Sequence, residues 1–446
     1  MKCGMDSGLL VGAGIADITP PLDQSRRAEP DGIATGVVDR ICARACVFSD
    51  GVEKAALVLL DVCEHYPNIT RGIRELAAAR TDIRPDSIMV CSTHTHSGPI
   101  VIDGEGRPDC GELSAKTRAY IDSLCEKAAG ALRAADRDMV PVTARVGCVA
   151  VPGIGRPSRI RLKDGSTASL GNERGIADIP PDAIESESPY DDCLRLALFE
   201  DSAGRPVCAL ASFGCHNNIA LMTTSLTPDF FGYAMCRAEE AVGGGFVLLM
   251  MPGSIADVQP LAGIDHRTCD PETHRIIPPG RGDDLVPPAG EILLAGMRKA
   301  WSESVTMTAA KVRSVSRLVK LPWRDPLPAI GPAYLENRKA GGGLQDDENA
   351  ITELQAIRIG DLALLGIGGE VFNETAAELR ERSPFPHTWT ISNANDSLKY
   401  IYPEWELERD LAAGRDNTQF RFCIMGADSE PTVVSVLDEM LHELMG

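Results

Sequence analysis

The chain contains eight histidines, and two stand one residue apart in Ile88-Met-Val-Cys91-Ser-Thr-His94-Thr-His96-Ser-Gly-Pro99. The apolar run before them reads as a buried strand that delivers His-x-His at its end. Alternate residues of a strand share a face, so His94 and His96 would lie side by side. Both could then hold one metal ion, or one could ligate while the other serves a substrate. Neutral imidazole is a preferred zinc ligand. His216 follows a second apolar run, in Ser212-Phe-Gly-Cys-His216-Asn217-Asn218. Glu370 follows Leu365-Gly-Ile-Gly-Gly, a place that suits a ligand better than a core residue. Two histidines and a glutamate from distant segments make a common catalytic zinc set.

The elements that must position these residues have a repeated pattern. Three segments read as strand, tight turn and second strand, each leading to a polar residue. They run from Ala43 to Asp61 with a turn at Ser49-Asp50-Gly51, from Leu194 to His216 with a turn at Asp201–Gly204, and from Leu354 to Glu370 with a turn at Gly360-Asp361. Such Asp and Gly pairs are hairpin signals. Phe246 to Met251 is a fourth strand, leading into Pro252-Gly253-Ser254. Sites of α/β proteins gather at strand ends, so Asp61, His216, Glu370 and the turn after Met251 are expected to converge. Helical periodicity covers Thr70–Arg80, Ser114–Ala134, Tyr233–Val242, Pro288–Ser302, Asn373–Arg382 and Pro431–Leu444. Strands alternating with helices predict an α/β protein with mixed β-sheets flanked by helices. Residues 152–189 and 265–288 read as loop-rich insertions, the usual material of lids and substrate walls.

Composition excludes several classes. Of 446 residues, 44 are Lys or Arg and 64 are Asp or Glu, a net charge of −20. That balance argues against nucleic acid and against steady attachment to an anionic membrane. There are 14 cysteines, many inside apolar runs, and no Cys-x-x-Cys pair. They read as reduced core residues. The first residues carry no apolar stretch long enough for a signal peptide, and a cytoplasmic protein is expected. There is no Gly-x-Ser-x-Gly elbow and no phosphate-binding Gly-x-x-x-x-Gly-Lys loop, which disfavours serine hydrolase and nucleotide chemistry.

Val11-Gly-Ala-Gly-Ile-Ala-Asp17-Ile-Thr-Pro20, Asp39-Arg40, Ala43-Arg44-Ala45, Thr93–Pro99, Pro189–Asn217, Asp229–Gly232, Gly369-Glu370 and Asn395–Pro403 together resemble the neutral (alkaline, non-lysosomal) ceramidase family. The resemblance implies that family's zinc-dependent amide hydrolysis, with one Zn2+ per chain. Carried over by motif, His94, His216, Glu370 and Tyr400 would be the metal ligands. A tyrosine can bind as phenolate, because a cation favours the charged form of a group with an ordinary pKa of about 10. His96 would contact the substrate or the attacking water and move a proton to the leaving amine. Asp257, Asp61 and Asn217 would orient the ligands, while Arg156, Asn217 and Tyr402 would line the substrate site.

The pattern also departs from the family. Where ceramide-cleaving members carry Gly-Asp-Val-Ser-Pro, this chain reads Ala256-Asp257-Val258-Gln259-Pro260. Gln259 thus stands in the serine's place, with an amide that can donate to a carbonyl oxygen. The Asn-Arg of the substrate loop is reduced to Gly155-Arg156. The sequence is expected to form one catalytic domain over residues 1–446, without the family's C-terminal β-sandwich. The reaction expected is hydrolysis of a C–N amide bond, linear or cyclic, in a small soluble substrate. The alternatives are a ceramidase or N-acyl lipid amidase, an ester or lactone hydrolase using the same zinc water, and a non-catalytic binding protein on a degenerate scaffold. No stable membrane association is expected, and a homo-oligomer is compatible with the sequence.

Overall fold

The structure is a computed structural model that describes residues 8–22, 34–101, 115–164, 167–169, 180–187, 190–220, 223–260, 283–412 and 418–446. In chain order it has β1 (Leu10–Asp17), the hairpin β2 (Cys42–Ser49) and β3 (Lys54–Leu60), helix α1 (Pro67–Ala78) and β4 (Ile88–Ser92). Helix α2 (Ala115–Arg137) and β5 (Val140–Ala150) lead to the hairpin β6 (Cys193–Asp201) and β7 (Pro206–Phe213), then α3 (Asp229–Val242) and β8 (Val247–Pro252). After α4 (Val286–Ser302), β9 (Val312–Pro322) and α5 (Gly331–Ala340) come the hairpin β10 (Asn349–Ile359) and β11 (Leu362–Gly366), α6 (Asn373–Arg382) and β12 (His387–Ile391). Helices α7 (Glu404–Ala412), α8 (Thr418–Phe422) and α9 (Ser429–Met445) follow.

The larger sheet has the order β8-β7-β6-β5-β1-β2-β3-β4, and the smaller has β9-β10-β11-β12. The three hairpins are antiparallel, whereas β3/β4, β7/β8 and β11/β12 are parallel. Each hairpin therefore continues through a helix into a parallel strand, so hairpin, helix and strand form a unit that occurs three times. Two of the hairpin turns are built by aspartates. Asp50 Oδ1 accepts from the amides of Val52 and Glu53, both at 2.8 Å, and Asp201 Oδ1 accepts from Ala203 at 2.8 Å and Arg205 at 2.9 Å. Such local side-chain bonds favour a turn over continued strand.

The central strands are buried on both faces. Leu57, Leu59, Met89 and Cys91 join one apolar cluster, while Ala56, Val58, Leu60 and Val90 join a second with α1, α2 and α9. This alternation explains why these strands read as unbroken apolar runs. Cys46, Cys91, Cys208 and Cys215 are buried free thiols within that packing.

The expected helices all form, with starts displaced by up to four residues; α5, α7 and α8 lacked a clear signal. The insertion at 152–189 holds more structure than its sequence suggested. Its described part includes short strands at Gly155–Pro157, Arg159–Leu162, Thr167–Ser169 and Ile184–Glu187. They mix Arg, Glu and Pro with apolar residues, which hides the strand period. Of the second insertion, 265–282 lies outside the described residues, and its end begins α4.

Candidate metal centre

The parallel pairs place the site. His94 follows β4, His216 follows β7, Glu370 follows β11 and Asn393 follows β12, all at carboxyl ends of parallel strands, where α/β proteins assemble their sites. Ligand atoms of His94, His216 and Glu370 lie within 4.8 Å of one another, and all three residues are buried. His216 Nε2 is 3.1 Å from Glu370 Oε2, and His94 Nε2 is 3.7 Å from Glu370 Oε1.

Backbone carbonyls orient both rings. His94 Nδ1 lies 2.9 Å from the Cys63 carbonyl, and His216 Nδ1 lies 3.2 Å from the Val258 carbonyl. A carbonyl can only accept, so each Nδ1 carries the proton and each Nε2 turns a lone pair toward Glu370. Burial drives His94 down to about 3 against the opposing pull of Glu370, so the ring is neutral. Burial pushes Glu370 upward, but positive charge at the positions of His94 and His216 would favour its carboxylate strongly enough to draw it down to about 2, so this spot attracts a positive partner. Two lone pairs and an anion thus crowd one buried spot. A cation is the partner that this donor set fits, and the set is of the kind that holds catalytic zinc.

The neighbouring His does not arrive by strand alternation. β4 ends at Ser92, and His94 has a left-handed backbone with φ of 60°. That conformation is uncommon for a residue with a Cβ and turns the chain sharply. It brings His96 Nε2 to 3.2 Å from His94 Nε2. The amide of His96 donates to the Asn217 carbonyl at 3.3 Å, joining this turn to the one that carries His216.

Glu370 and Tyr400 are direct partners in a two-residue parallel ladder, and the Glu370 amide donates to the Lys399 carbonyl at 2.8 Å. The Tyr400 ring centre lies 6.4 Å from that of His216. Gly368 and Gly369 make this approach possible. A Cβ on Gly369 would stand 2.8 Å from Ile401 Cγ1 and 2.9 Å from the Lys399 carbonyl oxygen. The glycines before Glu370 therefore admit the chain that carries Tyr400.

The other expected residues fall into two groups. Gln259 Oε1 accepts from Asn218 Nδ2 at 3.0 Å, beside the His216 turn, and Arg156 is its direct partner in the strand pair of Val258–Pro260 with Gly155–Pro157. Asn217 is fully buried and acts as a brace. Its Nδ2 donates to the carbonyls of Thr93 and Pro228, and its Oδ1 accepts from the amide of Phe231.

Asp257 and Tyr402 belong to a different network. Asp257 Oδ2 pairs with buried Arg159 at 2.6 Å, and its Oδ1 accepts from Asn373 Nδ2 at 2.9 Å. Arg159 also pairs with Glu374 and Glu406, and lies over the Phe372 ring. Tyr402 is buried with its hydroxyl 3.3 Å from Asp410 Oδ2. Asp61 likewise leads elsewhere. It accepts from the Cys42 amide and from Arg44, which also pairs with Glu239 on α3. These ion pairs tie strand ends to helices near the site.

Two contributors escaped sequence reasoning. Asn393 comes within 3.1 Å of His94 Nδ1 through Nδ2. A half-turn of that amide offers Oδ1 as a second acceptor for the same N–H. Asn393 and Asn395 both have positive φ, at 53° and 65°, and Asn395 caps the β4 edge by bonding both ways to Val90. Two asparagines one residue apart in Ser392-Asn-Ala-Asn395 were the available signal, because asparagine tolerates this backbone. Buried Asp229, at the start of α3, also has a positive φ of 58°. Burial pushes its carboxyl up to about 6, against the amides of Ala220 and Phe230.

Mixed sheets, helical crossovers and a buried two-histidine, one-glutamate cluster at strand ends define an α/β protein with a metal-competent centre. The fold is neutral-ceramidase-like. The crystal structure of neutral ceramidase from Pseudomonas aeruginosa superposes with a TM-score of 0.74 at 19% identity, covering 99% of this chain and 75% of that one. A ceramidase complexed with C2 gives 0.73 at 18% identity, covering 99% and 76%. In sequence, the chain is 24% identical over 257 residues to Neutral ceramidase A of Dictyostelium discoideum, which covers 55% of this chain and 34% of that protein. The matched segment is thus about a third of that relative's length. No family model matches.

Proposed function

We propose that the chain is a zinc-dependent hydrolase that cleaves the C–N bond of a small amide with water. The convergence of His94 Nε2, His216 Nε2 and the Glu370 carboxylate carries this reading. Tyr400 is the fourth ligand in this proposal, supported by its pairing with Glu370. Zinc held there would supply Lewis acidity to a carbonyl and a water acidic enough to attack near neutral pH.

The protein's own groups then have distinct tasks. The Cys63 and Val258 carbonyls fix the tautomers of His94 and His216. His96, beside the ligand cluster, delivers a proton to the leaving nitrogen. Gln259 donates to the carbonyl oxygen, and Arg156 lies next to it on the same strand face. The likeness to ceramidases supports a second substrate class, the long-chain N-acyl lipids, at the same centre. The glutamine at 259 favours the small amide. Among the described residues no helix is long and apolar enough to cross a membrane.

The test is elemental analysis combined with a hydrolysis panel of soluble N-acyl amides, the matching esters and a fluorescent ceramide. Wild type is expected to hold one zinc and prefer soluble amides; His216→Ala is expected to lose both metal and turnover. Full zinc in His216→Ala would refute the ligand set, and preference for the ceramide would refute the substrate class.

A further inference from the structure

The candidate ligands come from distant parts of the chain, and a buried ion pair bridges the two sides. On one side, the turn after β3 passes through Cys63, whose carbonyl lies 2.9 Å from His94 Nδ1. On the other, the Lys399 carbonyl accepts from the Glu370 amide at 2.8 Å, and Tyr400 follows in the ladder with Glu370. Glu64 stands directly after Cys63. Lys399 Nζ donates to both of its carboxylate oxygens, at 2.8 and 2.7 Å, and Ser397 Oγ donates to Oε2 at 2.7 Å. The Glu64 side chain is 8% exposed and that of Lys399 24%. Burial pushes Glu64 upward, but the Lys399 ammonium and the Ser397 hydroxyl outweigh it and hold the carboxyl below its ordinary value, so it is ionised. An ammonium can only donate and a carboxylate can only accept, which fixes the polarity of the contact.

Lys399 also has a left-handed backbone, with φ of 58°. For a residue with a Cβ this costs on the order of 1–2 kcal/mol. Such a conformation persists where surrounding contacts hold it, and the two-pronged contact with Glu64 is one of them. We propose that the Glu64–Lys399 ion pair is a clamp that holds the His94 turn against the Glu370–Tyr400 segment, with Glu64 as a positioning residue for the metal ligands. This rests on the zinc hydrolase reading above. Without the clamp, the Cys63 and Lys399 carbonyls are free to separate. His94 Nε2 and Glu370 Oε1, 3.7 Å apart, would separate with them.

Removing one partner alone would confuse two effects, because it leaves an uncompensated charge near the centre. Glu64→Gln combined with Lys399→Met removes both charges and keeps both shapes. The net charge beside the metal is then unchanged, and loss of the clamp is what remains. The matched control is Glu353→Gln combined with Arg74→Met. It breaks another two-pronged pair, at 2.7 and 3.2 Å, which joins α1 to β10.

Zinc affinity is read by competition against a fluorescent chelator, and ligand arrangement by the visible bands of the cobalt-loaded protein. Residues that orient metal ligands typically change metal affinity by about 10–100-fold. The clamp predicts a loss of that size in Glu64→Gln/Lys399→Met, with displaced cobalt bands. In Glu353→Gln/Arg74→Met, zinc affinity and bands should match wild type even where the urea midpoint falls. A pair that serves stability alone predicts that both double variants keep wild-type zinc affinity and bands, and that result would overturn the clamp while leaving the zinc site intact. Glu64→Asp keeps the charge and shortens the arm by one carbon, so it serves if the double variant fails to fold. It should weaken zinc several-fold, and wild-type affinity there would equally overturn the clamp. Failure of the wild-type protein to bind zinc would overturn the hydrolase reading itself, and the clamp with it.

Discussion

The sharpest test of how the centre is built is Gly369→Ala, which adds one methyl group and touches no candidate ligand. The new Cβ would stand 2.8 Å from Ile401 Cγ1 and 2.9 Å from the Lys399 carbonyl oxygen. Carbon contacts relax at about 3.5–4.0 Å, so the two segments must separate by roughly 0.7–1.2 Å. The Lys399 oxygen is also the acceptor for the Glu370 amide, at 2.8 Å. Separation therefore strains the ladder that sets Glu370 beside Tyr400. Overpacking of this kind costs about 1–3 kcal/mol. Misplaced ligand supports typically weaken metal binding by about 10–100-fold. Urea unfolding gives the first quantity, and zinc competition against a fluorescent chelator gives the second. Gly130→Ala is the control. It lies in α2 with its nearest neighbour, Arg133 Nη2, at 3.6 Å, so alanine should raise stability by up to about 1 kcal/mol. If Gly369→Ala matched wild type in both stability and zinc affinity, the close-approach argument would be wrong.

Three other outcomes are expected. His65 is buried, and burial lowers it to about 4 while Asp396 and Glu64 pull the other way. Because the unfolded chain takes up that proton first, stability falls as pH drops below the ordinary histidine value of about 6.5, and the fall levels off below about 4. Between pH 7 and 5 this amounts to about 2 kcal/mol, so His65→Gln should flatten the acid limb of a urea-midpoint profile by that amount; an unchanged limb would exclude His65 as its source. Arg44→Met would leave Asp61 fully buried without its cation, and breaking such a pair costs about 3–5 kcal/mol. Addition of Asp61→Asn should recover part of the loss in thermal melts, and no recovery would locate the damage elsewhere. Stripping metal with dipicolinate should lower the wild-type melting temperature, as loss of any ligand bound only by the native state must. His216→Ala should show no such dependence, and a metal-dependent shift in that variant would contradict its ligand role.

The chain alone determined the class of fold and pointed to three side chains that the fold brings together at strand ends. Unbroken apolar runs marked strands buried on both faces, and Asp- and Gly-containing turns marked the hairpins, because both signals act over a few residues. His94, His216 and Glu370 were legible as titratable side chains just after apolar strands, a signal that Asp61 shares although its carboxylate goes to Arg44. Tyr400, by contrast, rests on the family resemblance, and its pairing with Glu370 is a property of the fold.

Tertiary structure alone decided which carboxylates face the centre. Asp61 and Glu370 occupy the same place in their hairpin units, yet Asp61 is held by Arg44 and Glu239 crosses over from α3 to share that cation. Asp257 is similarly held by Arg159, which comes from a segment whose short charged strands had no readable period. His94 and His96 meet through a left-handed backbone, where strand alternation had suggested the same neighbours by a different route. Partner choice among buried charges depends on contacts between residues far apart in sequence, so no local pattern contains it. Gln259 likewise meets its partner Asn218 from 41 residues away.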